Sequence, residues 1–171
     1  YIRQDRMEKM QPFMGGGDMI REVSREFVSY NDSPHKFEAG TPSIVEAIGF
    51  GVALEYLMKI GMADIQKHES KLKVYAEKEF ENLDWLETQG NAPDKGAIFS
   101  FTMQGAAHAH DISTIVDRRG IAVRAGHHCA QPLMEHLGLN ATCRASFGMY
   151  NSTEEIDQLT SSLEFAYELL G

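Results

Sequence analysis

From Thr41 onward the apolar positions change period several times, and each change predicts an element. Thr41 suits a helix N-cap and Pro42 its first turn; Ile44, Ile48, Val52, Leu54, Leu57 and Met58 then predict a long, mostly apolar, buried helix that stops at Gly61. Ile65, Leu72, Tyr75, Ala76 and Phe80 recur among charges, which predicts an amphipathic second helix over 63–82, near the surface. Partial alternation over 97–103 predicts a strand. A helix over 111–119 closed by Gly120, a short strand over 121–124, a short helix over 131–137 and a strand over 141–149 follow. Ser152 and Glu155 have the spacing of a capping box, opening a last helix with Ile156, Leu159, Leu163, Phe165, Ala166 and Leu169 as its apolar residues. Alternating helices and strands fit a small sheet covered by helices, an α/β or α+β domain.

The first forty residues read differently. Gly15, Gly16 and Gly17 form a turn signal, residues 19–30 have loose strand character, and Asn31, Asp32, Ser33 and Pro34 mark a loop. This piece reads as the edge of another domain. The expected organisation is therefore a remnant of a larger domain over 1–40, a bridging helix over 41–59 and a small domain over 60–171.

Composition narrows the function. The chain has 171 residues, of which 43% are hydrophobic and 24% charged, as in ordinary globular proteins. A net charge of −9 argues against nucleic acid or an anionic membrane as the main partner. No apolar run approaches a membrane span. Two cysteines are too few for a disulfide framework, so a reducing cytoplasm is the expected setting. The chain opens on Tyr1 and Ile2 without an initiator methionine, and a fragment is the expectation.

The chemistry concentrates in 123–132. Arg124, His127 and His128 precede Cys129, and a helix is predicted just after it. A thiol reacts as its thiolate, which cations and a helix N-terminus favour. The alternative is a small buried hydrophobe, the commoner fate of a free cysteine. Two histidines and a cysteine could also bind a metal, although the spacing lacks the second ligand pair of a closed zinc site. Arg144 lies in an apolar strand, so it is either in a structural ion pair or clamps a carboxylate. Its neighbour Cys143 reads as core. His108 and His110 read on composition as exposed polar residues at a helix start.

The run from Arg124 through His127, His128 and Cys129 to Met134 resembles the active-cysteine motif of group II cysteine desulfurases, the Suf-type (SufS-like) enzymes among the class V aminotransferases. Residues 143–146 and 149–157 resemble the segment after that motif. Phe37 to Pro42 and Gly15 to Ile20 resemble two further signatures, in the right order. Group I relatives carry their cysteine in a longer, serine-rich loop, absent here.

The resemblance implies the C-terminal part of a type I fold pyridoxal-phosphate transferase that works as a homodimer. It implies conversion of L-cysteine to L-alanine with a persulfide on the active cysteine, supplying sulfur for iron–sulfur cluster assembly. Carried over, Cys129 is the nucleophile, Arg144 holds the substrate carboxylate and Arg124 lines the site. Gly40 and Thr41 would reach the cofactor phosphate of the other subunit, in keeping with phosphate at a helix N-terminus. His110 stands where relatives with a SufU-type acceptor carry a histidine that takes over a zinc ligand position; Ala125 and Gln131 also resemble that branch. A SufU-like acceptor is therefore expected, with SufE-like proteins the alternative. A selenocysteine lyase of the same fold, or a stand-alone sulfur or metal carrier, are the competing functions.

Ser33, Pro34, His35 and Lys36 superficially resemble the family's cofactor-lysine motif. Lys36, however, directly precedes Phe37 to Pro42, whereas the family's lysine precedes the glycine segment. The expectation is that this lysine lies upstream of Tyr1, so that the chain alone is inactive.

Overall fold

The computed structural model describes residues 1–105 and 108–170; Ala107, which heads the histidine segment, and Gly171, the end of the expected small domain, lie outside them. The chain forms two compact units, Tyr1–Lys59 and Ile60–Gly171.

In the first unit, α1 (Gln4–Met7) precedes an antiparallel hairpin of β1 (Ile20–Val23) and β2 (Val28–Tyr30), with a 3-10 turn at His35–Phe37. The glycine run is a close-approach device. A Cβ on Gly16 would sit 3.2 Å from Ala39 Cβ, and Gly40 N–H donates to the Gly17 carbonyl at 2.8 Å. Asn31 Nδ2 donates to the carbonyls of Asp18 and Ile20. Met19 is the buried apolar residue of this unit among the described residues.

Helix α2 (Ile44–Ile60) starts later than its capping signals imply. The Ser43 carbonyl accepts the first helical bond from Ala47 N–H at 2.9 Å, so Thr41 and Pro42 lie in the approach and not in the helix. The expectation that α2 is buried is also corrected, since none of its residues is. Val45, Ile48, Phe50, Val52 and Met58 are all more than 60% exposed. Apolar side chains ring this helix instead of lining one face, so no single contact could cover them.

The second unit holds the core. Its sheet has strand order β3-β4-β6-β5, all neighbours antiparallel: β3 (Leu86–Gln89), β4 (Ile98–Met103), β6 (Thr142–Ser146) and β5 (Arg124–Gly126). Side chains alternate across a strand. Phe99, Phe101, Met103, Cys143 and Ala145 therefore share one face, in a single core with residues of α3 (Met62–Glu81), α4 (Ala109–Asp117) and α6 (Thr153–Leu170). Phe80 of α3 meets Phe99 edge to face at 5.2 Å, and Leu72, Ile112, Val116, Ile156, Leu159 and Leu163 are at most 2% exposed.

The predicted helices recur with small shifts, while the strands move more. The strand expected at 121–124 runs Arg124–Gly126, and the one expected at 141–149 ends at Ser146. Strand β3 has no counterpart in the sequence reading. It is an edge strand poor in β-branched residues, and pairing with β4 makes it a strand. The capping signal at Ser152 is real: Ser152 N–H and Asn151 Nδ2 both donate to Glu155 Oε2, at 3.1 and 2.8 Å. These bonds, Asn151's first, hold the Glu155 carboxyl below its ordinary range.

Candidate active site around Cys129

Strand register assembles the site. Arg144 of β6 faces Arg124 of β5 in one direction and Ser100 of β4 in the other, and Ser100 faces Gln89 of β3. These four residues form a polar row on the sheet face opposite the aromatic core. Thr142 and Arg144 belong to this face, and Cys143 and Ala145 to the core face. Arg144 therefore only reads as part of an apolar strand; its side of the strand is polar.

No acidic side chain forms an ion pair with Arg124 or Arg144 among the described residues. The buried Arg144 Nε has no hydrogen-bond acceptor there. Like charges directly opposite on paired strands destabilise a sheet, and a buried unpartnered donor costs about 1–3 kcal/mol. The structural ion pair that the sequence left open is absent, and the arrangement suits an anionic ligand able to accept from both guanidinium groups.

Cys129 follows β5 in a tight turn. It is exposed, and Arg124 Nη2 donates to its Sγ at 3.5 Å. His128 and Cys129 both have left-handed backbone, φ 55° and 59°, which non-glycine residues seldom adopt. The turn closes with Ala130 N–H on the His127 carbonyl at 2.9 Å, and α5 (Gln131–Leu137) begins directly afterwards. A shallow depression of about 460 Å³ surrounds Cys129, lined by Arg124, His127, His128, Gln131 and Pro132.

His128 requires a correction. It was read as one of the cations beside the thiol. Instead its Nε2 lies 3.1 Å from the Thr142 carbonyl and 2.9 Å from Thr142 Oγ1. Burial, reinforced by the charges of Arg144, Arg124 and His127, lowers its pKa against the opposing Thr142 bond. It is therefore neutral at pH 7, and the positive charge against the sulfur is that of Arg124. Thr142, wholly buried, is the site residue that sequence reasoning missed. The available signal was a polar residue two positions from Arg144 on an alternating strand.

Cys143 behaves as core. Its thiol donates to the Ala109 carbonyl at 3.1 Å, and burial pushes its pKa up to about 12. His110 stands exposed in the first turn of α4. Its N–H donates to Nδ1 of the N-cap residue His108 at 3.3 Å, and the two rings stack at 5.4 Å. None of these bonds reaches Cys129. No group of three or more His, Cys, Asp or Glu side chains among the described residues is placed to hold a metal ion.

Gly40 and Thr41 belong to the first unit. Gly40 has φ +72°, and nothing lies within 4 Å of where a Cβ would stand. The space beside Gly40 and the Thr41 hydroxyl are open to a ligand such as the phosphate of pyridoxal phosphate, although Gly40 N–H is already given to the Gly17 carbonyl. Lys36 does not fit a covalent anchor. Its Nζ donates to the carbonyls of Met10 and Glu8 at 3.0 and 3.4 Å and lies over the Phe37 ring.

A larger depression, about 600 Å³, lies between α3 and the 90–97 loop. Its lysines are already engaged: Lys73 Nζ donates to the Pro93 carbonyl at 2.8 Å, and both Lys73 and Lys95 pair with Glu77. No cysteine, histidine or serine lines it among the described residues. No helix among the described residues is long and apolar enough to cross a membrane.

Known proteins resemble this chain along its whole length. A probable cysteine desulfurase of Xylella fastidiosa is 43% identical over 171 residues, which span all of this chain and 41% of that protein. A cysteine desulfurase of Haloferax volcanii is 44% identical, over all of this chain and 40% of that protein. Among solved structures, the cysteine desulfurase CsdA (S-sulfonic acid) from Escherichia coli superposes with a TM-score of 0.92 at 34% identity, covering 100% of this chain and 42% of that one. The apo cysteine desulfurase of Thermococcus onnurineus gives 0.88 at 37%, covering 99% and 42%. The chain thus spans about two fifths of the length of these relatives. The aminotransferase class-V family matches residues 1–159, nearly the whole chain, and to that family the chain belongs.

Proposed function

We propose that this chain is the C-terminal part of a pyridoxal-phosphate cysteine desulfurase of the Suf type, converting L-cysteine to L-alanine and leaving a persulfide on Cys129. The observation that carries this reading is the exposed Cys129 sulfur, in a strained turn, with Arg124 on it and the unpaired Arg144 across the strand pair.

Pyridoxal phosphate, when bound, supplies an electron sink at the substrate's amine-bearing carbon. The chain's own residues do the rest. Arg144 takes the substrate carboxylate in a bidentate grip, and Arg124 favours negative charge on Cys129. The Cys129 thiolate attacks the substrate sulfur: an S–S bond forms, the substrate C–S bond breaks, and its electron pair stays on carbon, which takes up a proton to become the alanine methyl group. Sulfur leaves as the persulfide, so no external oxidant or reductant enters. Gly40 and Thr41 serve the cofactor phosphate of a second subunit. The decisive assay is alanine and persulfide formation by the full-length, cofactor-loaded protein; L-cysteine left unchanged rules the reading out.

The sulfur then passes to an acceptor serving iron–sulfur assembly in the cytoplasm. His110, exposed at the head of α4, suits a SufU-like acceptor, because neutral imidazole can replace a thiolate on zinc. In the full-length enzyme, His110→Ala should leave basal desulfuration nearly unchanged and abolish stimulation by a SufU-like protein. Undiminished stimulation, or sulfur uptake by a SufE-type protein alone, removes this assignment.

The 171-residue stretch by itself should release no alanine, on the reading that Lys36, which directly precedes the Phe37 to Pro42 segment, is not the cofactor lysine. Borohydride reduction in the presence of pyridoxal phosphate, followed by peptide mapping, checks this; labelled Lys36 overturns it.

A further inference from the structure

We propose that Thr142 is a positioning residue for sulfur transfer: it grips the His128 imidazole and through it holds the left-handed turn that presents Cys129 to Arg124. The proposal rests on the reading of Cys129 as the nucleophile.

Two consecutive non-glycine residues in left-handed backbone are strained and persist only where the surroundings over-determine them. Cys129 cannot supply that restraint, since its side chain is exposed and touches Arg124. The Ala130 bond to the His127 carbonyl closes the turn on itself without tying it to the sheet. Besides the 3.5 Å contact of Arg124 with Cys129, the side-chain tie to the sheet is His128, whose Nε2 meets both the carbonyl and the hydroxyl of Thr142.

The anchor is well made. Thr142 is fully buried and pairs with Gly126, the last residue of β5. A carbonyl only accepts, so His128 Nε2 carries the proton and Nδ1 is left as a lone pair, buried and without a donor among the described residues. One strand thus fixes both partners of the reaction: Arg144 through its guanidinium, and Cys129 through Thr142 and His128.

The test uses the full-length, cofactor-loaded enzyme with Thr142→Val and Thr142→Ser. Thr142→Val should lower kcat about fivefold, on the order of 1 kcal/mol, and leave KM within about twofold, because Arg144 is untouched. Iodoacetamide labelling of the Cys129 peptide, followed by mass spectrometry, should slow by a similar factor. Thr142→Ser keeps the hydroxyl and should restore both. Unchanged kcat and labelling in Thr142→Val overturn the proposal, as do a rise in KM alone or a serine variant no better than valine. Should Thr142→Val fail to fold, His128→Phe carries the test: it keeps a ring, loses both contacts with Thr142 and must show at least as large a loss. If no form of the enzyme desulfurates L-cysteine, the functional reading fails, and labelling still decides the role of Thr142.

Discussion

Replacing Cys129 with alanine in the full-length enzyme is expected to abolish alanine release from L-cysteine, by at least about a thousandfold, while L-cysteine still binds. The two halves of this result come from different atoms. Binding depends on the carboxylate, the amine and the arginines of the polar row, none of which the substitution changes. Turnover needs a nucleophile at the substrate sulfur, and the chain's other thiol, Cys143, is buried on the opposite face of β6 with its pKa pushed up to about 12. It cannot substitute. Titrating the cofactor absorbance with L-cysteine separates binding from turnover. Normal alanine production by Cys129→Ala would mean that the nucleophile lies elsewhere.

Arg144→Ala is the second large effect. Loss of a charge-assisted hydrogen-bonding group should weaken L-cysteine binding by roughly 1.5–3 kcal/mol, about ten- to 150-fold. Arg144→Lys should recover only part of this, because a lysine ammonium lacks the planar fork that fits a carboxylate. Cysteamine, which has the thiol and amine of cysteine without the carboxylate, isolates the cause. Its binding should be insensitive to Arg144→Ala; equal losses for both ligands would make Arg144 a structural residue. Among the described residues no acidic side chain pairs with Arg144, which already weighs against that outcome.

Local signals were legible in the sequence where chemistry acts between near neighbours. The amphipathic pattern of α3 placed Ile65, Leu72, Ala76 and Phe80 in the interior, and the Ser152 and Glu155 spacing located the start of α6. The cysteine motif and Arg144 were singled out from residue types and order alone, and register places Arg144 opposite Arg124, beside Cys129. What escaped depends on partners distant in the chain. Strand β3 exists because β4 offers it a ladder, and His128 is neutral because packing against β6 takes it out of water beside the charges of Arg144 and Arg124. The exposure of α2 escaped for the opposite reason: a strongly apolar helix predicts burial, but burial needs a surface to pack on. The pairing of Arg124 with Arg144 was hidden as well, since register links residues twenty positions apart.

The alternation of β6 also bears on how this site can vary. Its odd positions, Cys143 and Ala145, belong to the packed interior, whereas Thr142 and Arg144 lie on the opposite face, where we propose the chemistry takes place. A saturation library across the strand should therefore sort largely by parity. Substitutions at the odd positions should alter how much folded protein accumulates, those at Arg144 what each folded molecule does, and those at the buried Thr142 both. Period two thus gives selection largely separate access to yield and to chemistry along one strand.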